Sequence, residues 1–123
     1  MEARAIKRYI RQSPRKVRQV VDLVRGEEVE KALNVLHFSP KKASVSIEKT
    51  LRSAVSNLMN TEHGSGVNPE DLYVKTMFVD EGPTVRRWRA GAMGRASIIR
   101  RRSSHLTVVV AEKTDGFTKK RKK

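Results

Sequence analysis

The sequence contains no cysteine, which excludes disulfide bonds, thiolate nucleophiles and zinc sites built from thiolates. Aromatic residues are also scarce, at 5% of the chain, with a single tryptophan. No apolar run approaches the about eighteen residues that a membrane span needs, and the first residues lack the apolar core of a signal peptide. We therefore expect a cytoplasmic protein that has no membrane partner.

Patterns that would indicate catalysis or metal binding are missing as well. The histidines His37, His63 and His105 fall on separate predicted elements, without the spacing of a metal site. Acidic pairs such as Glu27 and Glu28 are neighbours in sequence at the ends of predicted elements, where capping or solubility explains them. The chain has no glycine motif of the kind that cradles nucleotide phosphates. We predict no enzyme, no cofactor and no metal site.

Positive charge is abundant, and it is unevenly distributed. Lys and Arg number 27 against 13 Asp and Glu, a net charge of +14. Residues 1–81 carry 14 basic and 11 acidic side chains, whereas residues 82–105 carry seven arginines and no acidic side chain. Residues 106–123 add a further +4. A body of nearly balanced charge with two strongly cationic segments is typical of a nucleic-acid-binding protein.

Residues 82–105 predict a long β-hairpin. Apolar strand-like runs lie on either side, at 72–79 and 106–111, and a tip of small residues lies at 90–94. Arms of about ten residues, at roughly 3.3 Å per residue, would reach on the order of 30 Å. Because isolated strand pairs are marginal and like charges repel, we expect a polyanion to order this hairpin. The alternative for the free protein is a disordered basic loop that orders on binding.

The only tryptophan, Trp88, lies among the arginines of this hairpin. It either stacks on a base of a bound RNA or packs across the hairpin with Ile98 or Ile99. Strands with interleaved aromatic residues, the usual signature of single-stranded RNA recognition, are absent from the sequence. This composition favours recognition of phosphates and of folded RNA shape.

The rest of the sequence predicts an ordered body. Its elements are a strand over 2–10, a helix from Ser13-Pro14 to Gly26, a short helix over 29–36, a long helix over 41–60, a loop over 61–69 and strands over 72–79 and 106–111. Ser13 is predicted to cap the first helix, and Asp22 to pair with Arg18 and Arg25. In the first strand we expect Ile6, Tyr9 and Ile10 to pack. The strand over 72–79 alternates regularly, and the last strand, apolar on both faces, is predicted to be central.

Several motifs resemble the large-subunit ribosomal protein 22 family, over roughly residues 3–112. They are Ser13-Pro-Arg-Lys-Val-Arg18, Val21-Asp-Leu-Val-Arg-Gly26, Pro40-Lys-Lys-Ala43, Phe78-Val-Asp-Glu-Gly-Pro83, Gly94-Arg-Ala96 and Ser104-His-Leu-Thr-Val-Val-Val110. The last three motifs, in this order and at the spacing of a hairpin, are the most specific for this family. The chain differs from the family pattern at Gly91, where we expect a basic residue in many relatives.

The resemblance implies an α+β fold in which three helices pack on a small three-stranded antiparallel sheet, with a long protruding basic β-hairpin. It implies a structural constituent of the large ribosomal subunit that binds and bridges segments of ribosomal RNA during assembly. Neighbouring large-subunit proteins and the nascent polypeptide are the other implied partners, because the hairpin tip would line the exit tunnel. We expect one domain over residues 1–113, with the hairpin arm at 82–105, a disordered basic tail over 114–123, and no homo-oligomer.

The charge pattern and the resemblance together predict the functional residues. The predicted contacts to ribosomal RNA are Lys7, Arg8, Arg11, Ser13, Arg15, Lys16, Arg18, Lys41, Lys42, Arg86, Arg87, Arg89, Arg95, Arg100, Arg101, Arg102 and His105. The predicted tunnel-lining tip is Trp88, Arg89, Ala90, Gly91, Ala92, Met93, Gly94 and Arg95. Judged from the residues alone, an architectural DNA-binding protein is the alternative, although the tip lacks an apolar wedge and the body lacks a dimer seam.

Overall fold

Three helices and five strands make up the fold, and the computed structural model describes residues 2–61 and 66–113. The elements are β1 (Glu2–Ile10), α1 (Pro14–Val24), α2 (Val29–His37), α3 (Lys42–Met59), β2 (Leu72–Glu81), β3 (Val85–Ala90), β4 (Ala96–Arg101) and β5 (Ser104–Glu112), with 3-10 turns at Pro69–Asp71 and Ala92–Gly94. The predicted tail over 114–123, and residues 62–65 of the predicted loop with His63, lie outside the described residues.

Strand β5 is the centre of an antiparallel sheet in the order β1-β5-β2. Leu106, Val108 and Val110 alternate along β5, and all three are fully buried on its core face. Strands β3 and β4 form a separate two-stranded sheet. The α+β class and the central position of the last strand are therefore confirmed.

The helices bury the apolar stripes that the sequence predicts. In α1, the valines at positions 17, 20, 21 and 24 recur at helical spacing and are buried. In α3, the buried stripe runs from Ala43 through Ile47 and Leu51 to Leu58. Helix α3 packs on β1 and β5, whereas α1 packs along β2. The core therefore lies between one face of the sheet and the three helices.

The predicted starts of α1 and α3 differ in detail from the structure. The side chain of Ser13 makes no capping hydrogen bond, and only its carbonyl oxygen accepts a helical N–H, that of Val17, at 3.3 Å. Pro14 begins α1 because its fixed φ suits the first helical position. Helix α3 begins at Lys42, two residues after Pro40.

The prediction that Ile6 and Tyr9 pack in the core is wrong. Between Lys7, which pairs with Leu106, and Ile10, which pairs with Ser104, β1 contains one more residue than β5. This β-bulge reverses the phase of the strand, so that Ala5 and Ile10 are buried while Ile6 and Tyr9 are exposed. Periodicity alone does not reveal such an insertion, since it depends on the partner strand.

The regular alternation predicted for β2 is interrupted in the same way. Val74 pairs with Val110 and Thr76 with Val109, which leaves Lys75 as an inserted residue. The buried positions are therefore Leu72 and Val74 before the bulge, and the residues at 77 and 79 after it.

No helix within residues 2–61 and 66–113 is long and apolar enough to cross a membrane. In the same part of the chain, no group of three or more acidic, histidine or cysteine side chains is arranged to hold a metal ion.

Candidate nucleic-acid interface

Strands β3 and β4 form the arm, which we define as residues 85–101. Their register places opposite residues on the same face of the arm. One face carries Val85, Arg87, Arg89, Ser97, Ile99 and Arg101, and the other carries Arg86, Trp88, Ala90, Ala96, Ile98 and Arg100. Both faces therefore mix cationic and apolar side chains, and every arm residue is exposed except Ile99, which is partly buried.

Trp88 lies opposite Ile98, as one of the two interpretations of this residue requires. The tryptophan nevertheless remains 67% exposed, so a ring surface is still available to a ligand. The neighbouring pair on this face joins Arg86 to Arg100, two like charges directly opposite each other. Such a pair destabilises a free hairpin, and a bound anion would remove the repulsion.

The tip is a tight turn that depends on small residues. The N–H of Gly91 donates to the carbonyl oxygen of Arg95, and a Cβ at position 91 would lie only 2.9 Å from that oxygen. Met93 and Gly94 follow with φ of 56° and 74°, and Met93 is 99% exposed. The close approach gives a physical reason for glycine at position 91.

The arm leaves the body at a well-defined junction. The N–H of Gly82 donates to the carbonyl oxygen of Ser103 at 2.9 Å, and the hydroxyl of Ser103 donates to the carbonyl oxygen of Pro83 at 2.6 Å. A side chain at Gly82 would meet the Ser103 hydroxyl at 2.6 Å and the His105 ring at 3.3 Å. Glycine therefore permits the close packing that sets the direction of the arm.

A groove of about 780 Å³ lies between the base of the arm and the body. Its cationic lining residues are Arg11, Lys16, Lys42, Arg87, Arg100, Arg101 and Arg102. Within the described part of the chain, no acidic side chain lines it. A second groove of about 340 Å³ shares Tyr9, Arg11, Gln12 and Lys42 with the first. The two adjoining grooves form a continuous cationic surface that suits a polyanion.

A family model described as ribosomal protein L22p/L17e matches residues 5–111 of this chain. The chain belongs to this family. The chain is 55% identical to the large ribosomal subunit protein uL22 of Halothermothrix orenii, over 94% of this chain and all of that protein. The proteins of the same name from Carboxydothermus hydrogenoformans and Desulfitobacterium hafniense are 53% and 54% identical, over 94% of this chain and 100% and 98% of their own lengths.

In this L22p/L17e family member, about half of the predicted RNA contacts come together in the grooves. The wider groove collects Arg11, Ser13, Lys16, Lys42, Arg87, Arg100, Arg101 and Arg102, and the smaller one adds Lys7. Arg86, Arg89 and Arg95 belong to the arm but line neither groove. The remaining cations Arg8, Arg15 and Lys41 are exposed on the body and line neither groove.

The ion pairs of the body lie apart from this surface. They join Arg25 to Asp22, Lys31 and Lys113 to Glu28, Arg52 and His37 to Glu48, and Lys75 to Glu2. Among residues 2–61 and 66–113, no predicted RNA contact takes part in an ion pair. Among the described residues, the cations of the grooves and the arm are thus left without an ion-pair partner.

Arg18 is the predicted RNA contact with a clear structural role. Its Nε and Nη2 donate to the carbonyl oxygen of Val79 at 3.3 and 2.8 Å. Likewise, Nε and Nη2 of Arg25 donate to the carbonyl oxygen of Met77 at 3.1 and 3.0 Å. Arg25 also forms an ion pair with Asp22 at 2.9 Å. The expected ladder through Asp22 thus includes Arg25, while Arg18 instead satisfies a carbonyl on the outer edge of β2.

His105 lines neither groove, but it contacts Tyr9, one of two groove-lining residues outside the predicted set. The Nδ1 atom of His105 accepts a hydrogen bond from the backbone N–H of Tyr9 at 3.0 Å. Tyr9 and Gln12 line both grooves. Sequence reasoning missed them because Tyr9 fits an apolar strand pattern and Gln12 carries no charge.

Proposed function

We propose that this chain, a structural constituent of the large ribosomal subunit, binds large-subunit ribosomal RNA through the two grooves and the arm. The observation that carries the proposal is the lining of the wider groove, where seven cationic side chains and, among the described residues, no acidic one converge. Arginine dominates this set, and its planar guanidinium can donate two parallel hydrogen bonds to phosphate oxygens. The protein therefore works in the cytoplasm as part of the ribosome.

The proposed mechanism is neutralisation of phosphates from several RNA segments at once. RNA segments repel one another, and cations on two faces of the arm and on the body can lie between them. Because α1, β1 and the arm base all contribute to one groove, the segments would be held in a defined arrangement. Such bridging would act during subunit assembly, together with neighbouring ribosomal proteins. The chain is not an enzyme, in keeping with its family of ribosomal structural proteins.

We also propose that the tip, from Trp88 to Arg95, lines the nascent-peptide exit tunnel and contacts the nascent polypeptide. Two features support this role. The tip lies at the end of the arm furthest from the body, and its turn consists of small residues apart from the fully exposed Met93. A narrow passage tolerates little bulk, which suits a turn of this composition.

Salt-dependent binding to protein-free large-subunit ribosomal RNA tests the proposal. If six to ten phosphates are contacted, the affinity should fall by about three to five decades between 50 and 200 mM salt. Duplex DNA of equal length is the control ligand. Equal affinity for the two ligands would overturn the RNA proposal in favour of an architectural DNA-binding role. A sucrose gradient of cell lysate is a second test, in which migration of the protein away from large subunits would have the same consequence.

A further inference from the structure

Tyr9 lies in the β-bulge of β1, at a position that packing of the core does not explain. Its φ of 58° lies in the left-handed region, which is unfavourable for a residue with a Cβ. Its side chain is 63% exposed, so burial contributes little at this position. A strained backbone that presents an exposed aromatic ring points to a role outside the core.

The ring of Tyr9 is held in place before any ligand binds. Its backbone N–H donates to Nδ1 of His105 at 3.0 Å, and the two rings meet edge to face with centroids 5.0 Å apart. A ring fixed in this way loses little conformational entropy when a ligand packs against it.

The surroundings of Tyr9 indicate which ligand this ring would take. The residue lines both cationic grooves, and Arg11 and Lys42 line both of them with it. Cations that hold a phosphate backbone beside an aromatic face that stacks on a base are the combination used in single-stranded nucleic-acid binding. The cations alone would suit any polyanion, whereas the ring adds a surface for a flat, aromatic group.

We propose that Tyr9 stacks on one unpaired nucleobase of the ribosomal RNA, while Arg11 and Lys42 hold the adjacent phosphates. This inference rests on the proposed RNA-binding function and adds a base contact to it. The base must come from a loop, bulge or end, since a base within a duplex is covered by its neighbours on both faces.

Two variants of the full-length chain separate stacking from a structural role. Tyr9→Asn removes the ring but suits the left-handed backbone, because asparagine tolerates this conformation better than most residues. Tyr9→Phe keeps the ring. With a protein-free large-subunit RNA transcript as the probe, we expect Tyr9→Asn to bind about 5- to 150-fold more weakly, and Tyr9→Phe to bind as the parent does. The melting temperatures of both variants should match that of the parent.

The salt dependence gives a second readout. The ring is uncharged, so Tyr9→Asn should lower the affinity at every salt concentration without changing the slope of log affinity against log salt. A reduced slope, or a melting temperature that falls together with the affinity, would show that Tyr9 only positions its neighbours and would overturn the proposal. Ultraviolet irradiation of the parent complex should cross-link a nucleotide to the peptide that contains Tyr9.

The failure of stacking is distinguishable from the failure of RNA binding. If the parent binds the transcript with a steep salt dependence, and Tyr9→Asn binds equally well, the stacking proposal is overturned and the proposed function stands. If the parent itself fails to bind the transcript, both proposals are overturned.

Discussion

The body and the arm are stabilised in opposite ways. In the body, Leu51 and Leu106 are fully buried, and the ion pairs of the described residues join elements of the body. In the arm, Met93 is 99% and Trp88 67% exposed, and two arginines face each other across the strands. The hydrophobic effect therefore stabilises the body without a partner, whereas the arm has almost no buried area of its own.

This difference separates the part of the chain that folds without a partner from the part that we propose binds RNA. Cations that serve the fold, such as Arg25 and Lys75, have intramolecular partners. The cations of the arm and the groove have no ion-pair partner among the described residues, and we propose that they hold phosphates. Because different side chains make up the two sets, a change in one set should leave the property of the other unaltered.

The largest effect should come from a cavity in the body. Leu51→Ala removes a fully buried side chain of α3, and such a substitution costs about 2 to 5 kcal/mol of unfolding free energy. The matched substitution in the arm, Ile98→Ala, removes a side chain that is 47% exposed and should change this free energy by less than about 0.5 kcal/mol. Chemical denaturation of both variants measures the difference. Equal destabilisation by the two would mean that the arm is part of the cooperative unit.

Removing the cations at the base of the arm should have the next largest effect. Arg100, Arg101 and Arg102 line the wider groove and have no ion-pair partner among the described residues. Replacing all three with alanine should lower the affinity for ribosomal RNA by about a hundredfold, because each lost phosphate contact costs about fivefold at moderate salt. Filter binding over a salt series measures both the affinity and the slope, which should also fall. The melting temperature should stay close to that of the parent.

A control with the same change in net charge sharpens this experiment. Lys31, Lys49 and Arg52 lie on α2 and α3, and they line neither groove. Their joint replacement with alanine should reduce RNA affinity far less than the arginine triple does. If the two triples weaken binding equally, net charge and not the groove determines affinity. If the arginine triple loses its cooperative melting transition, the base of the arm belongs to the folding unit of the body.

Features that depend on near neighbours in sequence could be predicted well. The valines of α1 show their buried stripe at helical spacing, and β5 shows its central position through apolar residues on both faces. The two bulges could not be predicted, because the extra residues near Tyr9 and at Lys75 exist only relative to β5. In each case the inserted residue changes which side chains face the core.

The candidate site was predictable as a list of cations but not as a surface. Arg11 and Arg101 are ninety positions apart in sequence, and only the pairing of β1 and β2 with β5 brings the arm base beside α1. The hydrogen bonds from Arg18 to the Val79 carbonyl are also remote, because donor and acceptor are 61 positions apart in sequence. Contacts of this kind depend on the register of the sheet, which a single sequence does not display.

The smallest expected effect concerns a cation that serves the body. A hydrogen bond from Lys75 holds the pKa of the Glu2 carboxyl below its ordinary value of 4.5, and it raises the pKa of Lys75. Because the folded-state pKa of Glu2 is depressed, this pair should stabilise the protein above pH 4.5 and lose that effect as the pH falls through the depressed pKa. Both side chains are exposed, so the effect should be slight.

Glu2→Gln should therefore melt slightly below the parent at pH 7 and together with it at pH 2, with RNA affinity at pH 7 unchanged. A difference in melting temperature that persists at pH 2 would show that the contact between Glu2 and Lys75 stabilises the body independently of charge.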